Sequence, residues 1–165
     1  MYKLDPVNFN IISIETYYIN LDYLVDPTLF IDQMSSRLMV LYNYIFNLMS
    51  FYKPLVIFME ASFLNVKYPL AVIQLSQYIS TIGLASRTAN FYTKILVYPP
   101  RYVKKMMAVG GNADKNAMLA SVDNIPEITK HVDVTLVTEH VVDALCIGYV
   151  GILELRERPL YLLSV

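Results

Sequence analysis

Four side chains able to hold a divalent cation stand far apart in the sequence: Glu15, Glu60, His140 and Asp143. Glu15 and Glu60 each close a short apolar run, NIISIE over 10–15 and LVIFME over 55–60. Such runs suit buried strands. If the two strands are neighbours, both carboxylates stand at one sheet edge, where open α/β sheets place their sites. His140 precedes Asp143 by three residues, a spacing that puts both on one face of a helix. Carboxylates gathered with an imidazole suit Mg²⁺ or Mn²⁺. Two such ions about 3.5–4 Å apart would activate a water and steady the leaving oxygen of a phosphodiester. Plainer roles exist for each residue: a glutamate ending a strand in solvent, or His140 opening a helix beside a Thr138 N-cap. Asp143 resists that explanation. It stands among Val141, Val142, Ala144 and Leu145, in a helix too apolar to bury a carboxylate without a partner.

The elements that must position these groups follow from apolar periodicity and its punctuation. After the strand over 10–15, YYINLDYLV over 17–25 alternates roughly and reads as a second strand. Asp26-Pro27 resembles a helix start, apolar residues recur at helical spacing to about Phe51, and Lys53-Pro54 ends the pattern. A strand is expected over 55–59, an amphipathic helix over 69–85 and a strand over 94–97 closed by Pro99-Pro100. Short helices over 102–108 and 115–122 flank a turn at Gly110-Gly111, and a last helix, apolar on most faces, covers 139–155. Strands alternating with helices imply an α/β sheet covered on both sides. Lacking repeats, low-complexity tracts or a linker, residues 1–165 read as a single domain.

Composition narrows the function. At 165 residues and 18.9 kDa one core is the default. Charged residues make up only 16%, against about 25% in ordinary domains, so much of the surface is Tyr, Ser, Asn and Met or is covered by a partner. A net charge of −1 excludes a protein that coats nucleic acid by bulk positive charge. The basic residues are nonetheless concentrated: Lys94, Arg101, Lys104, Lys105 and Lys115 fall between 94 and 115 with Asp114 as the only acid, a local phosphate-contacting surface or a solvated helix face. A single cysteine, Cys146, rules out an intrachain disulfide and fits a reducing compartment and a core position. The longest uncharged stretch, 68–86, carries Gln74, Gln77 and three Ser, and the greasier 38–52 is shorter than the roughly 20 apolar residues of a membrane span. With no secretory signal at the front, a soluble cytoplasmic protein is expected. The Tyr, Asn, Ile and Lys usage suggests an AT-rich genome, bacterial or of a virus acting in its host cell.

Residues 56–115 and the closing segment over 140–150 resemble the RuvC-type Holliday junction resolvases. VIFMEASFLNVKYPLAVIQLSQ is similar to their strand, glutamate, aromatic and helix; YPPRYVKKMMAVGGNADK to their proline-led strand end, paired lysines, glycine turn and Ala-Asp-Lys; HVVDALCIGYV to their last helix. The resemblance implies a ribonuclease-H-like mixed α/β sheet flanked by helices, a homodimer, and Mg²⁺-dependent paired nicking of four-way or branched double-stranded DNA. It assigns metal ligation to Glu60, His140 and Asp143, and phosphate contact to Lys104, Lys105 and Lys115, with Arg101 in the same basic segment. Phe63 matches an aromatic that stacks on bases at the junction centre. At the front the pattern departs. The family has a strand ending in Asp-Pro-Gly or Asp-Xaa-Gly/Ser and then a glycine-marked hairpin, whereas ISIETYYINLDYLV offers Glu15, or else Asp22, for the first acidic position. A glutamate is one methylene longer, and a misplacement of about 1 Å costs on the order of 10²-fold in rate.

Three functions fit these observations: a metal-dependent junction endonuclease, a resolvase-like protein that has lost catalysis and serves as a DNA-binding or assembly subunit, and a related nuclease acting on other branched or hybrid substrates. The helix over 69–85 is the expected dimer interface, because Leu70, Ile73, Leu75 and Tyr78 do not all fit one core.

Overall fold

The first apolar run forms a strand, but its partner comes from an unexpected place. In the computed structural model, which describes residues 1–17, 19, 21, 33–62, 69–107, 110–111 and 113–158, β1 (Tyr2–Leu4) pairs antiparallel with β2 (Ile11–Ile14). Tyr2 stands opposite Ile14 and Lys3 opposite Ser13, with an irregularity before Leu4 meets Ile11. The connection is closed by turn chemistry. The Asp5 carboxylate accepts from the Val7 and Asn8 N–H groups at 2.9 and 3.2 Å, and the Asp5 N–H donates to the Asn10 carbonyl at 2.9 Å. Phe9 takes a left-handed backbone at φ 57°.

The expected strand over 17–25 lies largely outside the described residues. So do Asp22, the helix start at Asp26-Pro27, and Phe63. The remaining elements are α1 (Gln33–Tyr52), β3 (Val56–Glu60), α2 (Pro69–Ala89), β4 (Lys94–Tyr98), α3 (Pro100–Met106), α4 (Lys115–Asp123), α5 (Pro126–Thr129) and α6 (Glu139–Glu157). β3 and β4 are paired. The Lys94 N–H donates to the Leu55 carbonyl at 2.9 Å, joining the beginnings of the two strands, as parallel neighbours linked by a crossover helix require. β2 is paired with β1, so the ladder that would set Glu15 beside Glu60 is not among those of the described residues.

The chain divides into two compact units. One comprises Ile19–Ile57, Ala61–Leu96 and Val165. There α1 and α2 pack along each other, with Ser36, Leu41, Ala85 and Ser86 buried. The small residues allow close approach, and the Ser86 hydroxyl is satisfied by the Ile82 carbonyl at 2.7 Å. α2 leaves Leu70, Ile73, Leu75 and Leu84 exposed.

The other unit comprises Met1–Tyr18, Phe58–Glu60 and Val97–Ser164. Its axis is α6, which buries Val142, Leu145, Cys146, Ile147, Val150, Ile152 and Leu155, as expected of a helix apolar nearly all round. Val103, Met107, Met118, Val122 and Ile128, from α3, α4, α5 and the start of the glycine turn, complete that core. The Tyr2 hydroxyl donates to the Leu145 carbonyl at 2.7 Å. Near the end of α6, Arg156 donates to the Phe9 carbonyl at 3.1 Å and pairs with Glu127 at 3.0 Å, fastening the β1–β2 turn and α5. No helix among the described residues is long and apolar enough to cross a membrane.

Candidate active site

Two prolines and a cap deliver the basic segment to the site. β4 stops at Pro99-Pro100, and Pro100 opens α3, where its missing N–H is harmless and its fixed φ suits the helix. α3 carries Arg101, Lys104 and Lys105. The chain then turns at Gly110, whose φ of 80° is available to glycine at little cost. α4 begins at Lys115 behind an Asp114 N-cap, its carboxylate accepting from the Ala117 N–H at 2.9 Å. Between the two helices, the Lys104 ammonium donates to the Ala113 carbonyl at 2.6 Å, so the lysine is pinned across the glycine turn.

Two carboxylates, Glu60 and Asp143, feel that lysine's charge. Partial burial raises the Glu60 carboxyl above the usual range, the negative charge of Asp143 raises it further, and Lys104 opposes both. Asp143 is raised as well, first by partial burial and then by Glu139, against the pull of His140, Lys104 and Lys115. Glu60, Asp143, His140, Lys104 and Lys115 therefore share one electrostatic neighbourhood. The sequence pattern suggested a buried Asp143; the structure corrects this. Glu139, His140, Asp143 and Ala144 lie on the solvent side of α6's opening turns, and the apolar residues between them face the core.

Sequence reasoning did not single out Glu139. It forms an ion pair with Lys115 and its other oxygen lies 4.0 Å from the His140 imidazole. The Lys115 ammonium holds its carboxyl below the usual range. The available signal was its position one residue before His140, at the start of a helix where an acid complements the dipole. Arg101 and Lys105 are exposed on α3. Glu15 sits at the end of β2, exposed, its N–H bonded to the Met1 carbonyl at 2.8 Å and its carboxylate accepting from the Tyr17 hydroxyl. Among the described residues no group of three or more His, Cys, Asp and Glu side chains is gathered tightly enough to hold a metal ion.

The comparisons with known proteins bear on this arrangement. Residues 10–150 match the family model described as "Crossover junction endodeoxyribonuclease RuvC". The chain belongs to the RuvC family. Among solved structures it is similar to one titled "Thermus thermophilus RuvC structure", with a TM-score of 0.61 and 19% identity over 81% of this chain and 74% of that one. At that identity the likeness speaks to the fold, which is the ribonuclease-H-like α/β architecture that the sequence resemblance implied. No curated protein matches the chain. The matched span contains Glu15, Glu60, the basic segment and the His140–Asp143 pair.

Proposed function

We propose that this RuvC-family chain is a metal-dependent, structure-selective endonuclease that resolves four-way or branched DNA by paired nicks. The observation that carries the reading is the electrostatic coupling of Glu60 to Asp143 and to a pinned Lys104, because carboxylates that hold their protons more tightly are what a divalent cation would relieve. The donor types suit Mg²⁺ or Mn²⁺: Glu60, Asp143 and His140 would hold the ions, with Glu15 or Asp22 completing the set. When bound, such a pair of ions supplies an activated water and charge neutralisation at the leaving oxygen.

The chain's own groups bind and orient the substrate. Lys104, Lys105, Lys115 and Arg101 contact phosphates, Lys104 from the floor of the site and the others from exposed positions, and Phe63 stacks on bases at the junction centre. Paired cleavage needs two copies. The protein acts as a homodimer joined through α2, whose Leu70 and Ile73 are 73% and 54% exposed, and it works in the cytoplasm of a bacterium or of a virus-infected cell. Residues 1–165 act as one functional domain.

A second reading, a DNA-binding or assembly subunit without catalysis, is favoured by one observation: among the described residues no group of three or more His, Cys, Asp and Glu side chains is placed to hold a metal ion. A labelled four-way junction incubated with Mg²⁺ or Mn²⁺, next to flaps and RNA–DNA hybrids, separates the readings. Symmetric nicks in opposed strands of the junction are expected. Tight binding without nicks at any pH would leave the second reading standing, and cleavage of flaps or hybrids in preference would make the enzyme a nuclease of a different specificity.

A further inference from the structure

The two carboxylates reside on β3 and α6, and neither element fixes the other by hydrogen bonding of its backbone. The two elements meet at a ring seated on the helix where only glycine leaves room. A Cβ added at Gly151 would lie 2.5 Å from Cδ1, Cε1 and Cζ of Phe58, closer than real contacts permit along a whole ring edge. The ring is also held by a second contact. On its other side it stacks on Tyr98 with centroids 5.9 Å apart and planes at 19°, and Tyr98 stacks in turn on Tyr102 at 5.7 Å. Both tyrosine hydroxyls donate to Glu154, one turn beyond Gly151 on the same helix, that of Tyr98 at 2.6 Å. α6 thus grips β3 through the glycine slot and grips β4 and α3 through Glu154.

Strand geometry converts this grip into placement. Phe58 and Glu60 are two residues apart on β3 and so project from the same face, about 6–7 Å apart along the strand. Phe58 turns that face toward α6, which carries Asp143 about 12 Å along its axis from Gly151. A backbone shift of β3 that relieves the ring would carry Glu60 with it. Gly148 repeats the device one turn earlier, where a Cβ would collide with the ring of Tyr2 on β1.

We propose that Phe58 and Gly151 are positioning residues: the Phe58 ring, seated in the Gly151 slot, sets the separation of the Glu60 and Asp143 carboxylates. The inference rests on the nuclease reading above. It predicts that Gly151→Ala displaces the ring and with it Glu60, and that shrinking the ring restores the fit.

The test compares Gly151→Ala, Phe58→Leu and the double variant in the full chain. The measurements are kcat and KM on a four-way junction, junction binding without metal, and Mn²⁺ binding by calorimetry. Gly151→Ala is expected to lower kcat by about 10²-fold, since a displacement near 1 Å has that effect, with junction affinity within about twofold of wild type and Mn²⁺ binding weakened. The double variant is expected to recover at least about tenfold in kcat and most of the Mn²⁺ affinity, a rescue that general damage to the fold would not give. Wild-type kcat in Gly151→Ala, or a double variant no better than the single, overturns the proposal. Should Gly151→Ala fold poorly, Phe58→Leu carries the test alone, by a kcat reduced about tenfold at unchanged KM; an unchanged kcat is the contrary result. A wild-type protein that binds junctions but neither nicks them nor binds Mn²⁺ refutes the nuclease reading itself. Normal wild-type cleavage with an insensitive position 151 refutes only the positioning role.

Discussion

At the scale of single residues, Glu60 and Asp143 are held where their charge is unwelcome until something positive arrives. Both carboxyls are raised above the usual range, chiefly by partial burial. The folded protein therefore binds these protons more tightly than the unfolded chain. Its stability rises as pH falls through the raised values and is diminished above them, so at neutral pH both charges are a burden. Glu60→Gln and Asp143→Asn should each raise the melting temperature of the metal-free protein, by on the order of 1–2 °C because both sites are open to solvent screening. The same changes should cut nicking by more than the roughly 10–100-fold typical of groups that merely support a metal ligand, while junction binding persists. Calorimetry alongside a nicking assay checks both; a variant that nicks normally removes that residue from the metal site. Lysines report differently. Lys104→Ala and Lys105→Ala should each reduce the slope of log affinity against log salt by about one, read from junction binding at several salt concentrations. An unchanged slope would show that the lysine meets no phosphate.

At the scale of elements, the basic segment depends on how α4 begins. The Asp114 cap satisfies an N–H that would otherwise go unpaired and holds Lys115 at the first position of the helix. Asp114→Ala should cost about 1 kcal/mol, a fall in melting temperature of roughly 2–4 °C, and weaken junction binding through a looser Lys115. Thermal unfolding of that variant beside Asp114→Ser, which keeps a capping oxygen, checks the cause. The sequence announced such elements unevenly. β3, β4, α3, α4 and α6 were legible because apolar runs are bracketed by Pro99-Pro100, Gly110-Gly111 and Asp114, whose local chemistry decides the matter. β1 was not, since Tyr2–Leu4 becomes a strand only by pairing with β2, and the turn between them relies on Phe9 in a conformation that an aromatic residue does not advertise. α5, only four residues long, has no periodicity to read. The placement of Glu60 at a strand end and of His140 and Asp143 near the start of the last helix was readable from the apolar runs. The anchoring of Lys104 to the Ala113 carbonyl and the pairing of Lys115 with Glu139 were not, because both depend on the path of the glycine turn.

At the scale of the whole molecule, the scarcity of charge and the exposed apolar row on α2 ask for a second copy. Leu70→Glu combined with Ile73→Glu should convert a dimer to monomers at micromolar concentration, as followed by sedimentation, and should change paired nicks into isolated single nicks. A wild-type protein that sediments as a monomer would count against paired cleavage. The unit built on α6 has a different dependence. Tyr2 is bonded to Leu145 and Phe9 to Arg156, contacts that join positions separated by 143 and 147 residues. During synthesis, at about 5–20 residues per second, the opening segment must wait roughly 7–30 s before its partners leave the ribosome. During that interval Tyr2 and Phe9 lack the partners that hold them in the folded unit, and the yield in a cell will track chaperone supply and translation speed as much as the final stability of the protein.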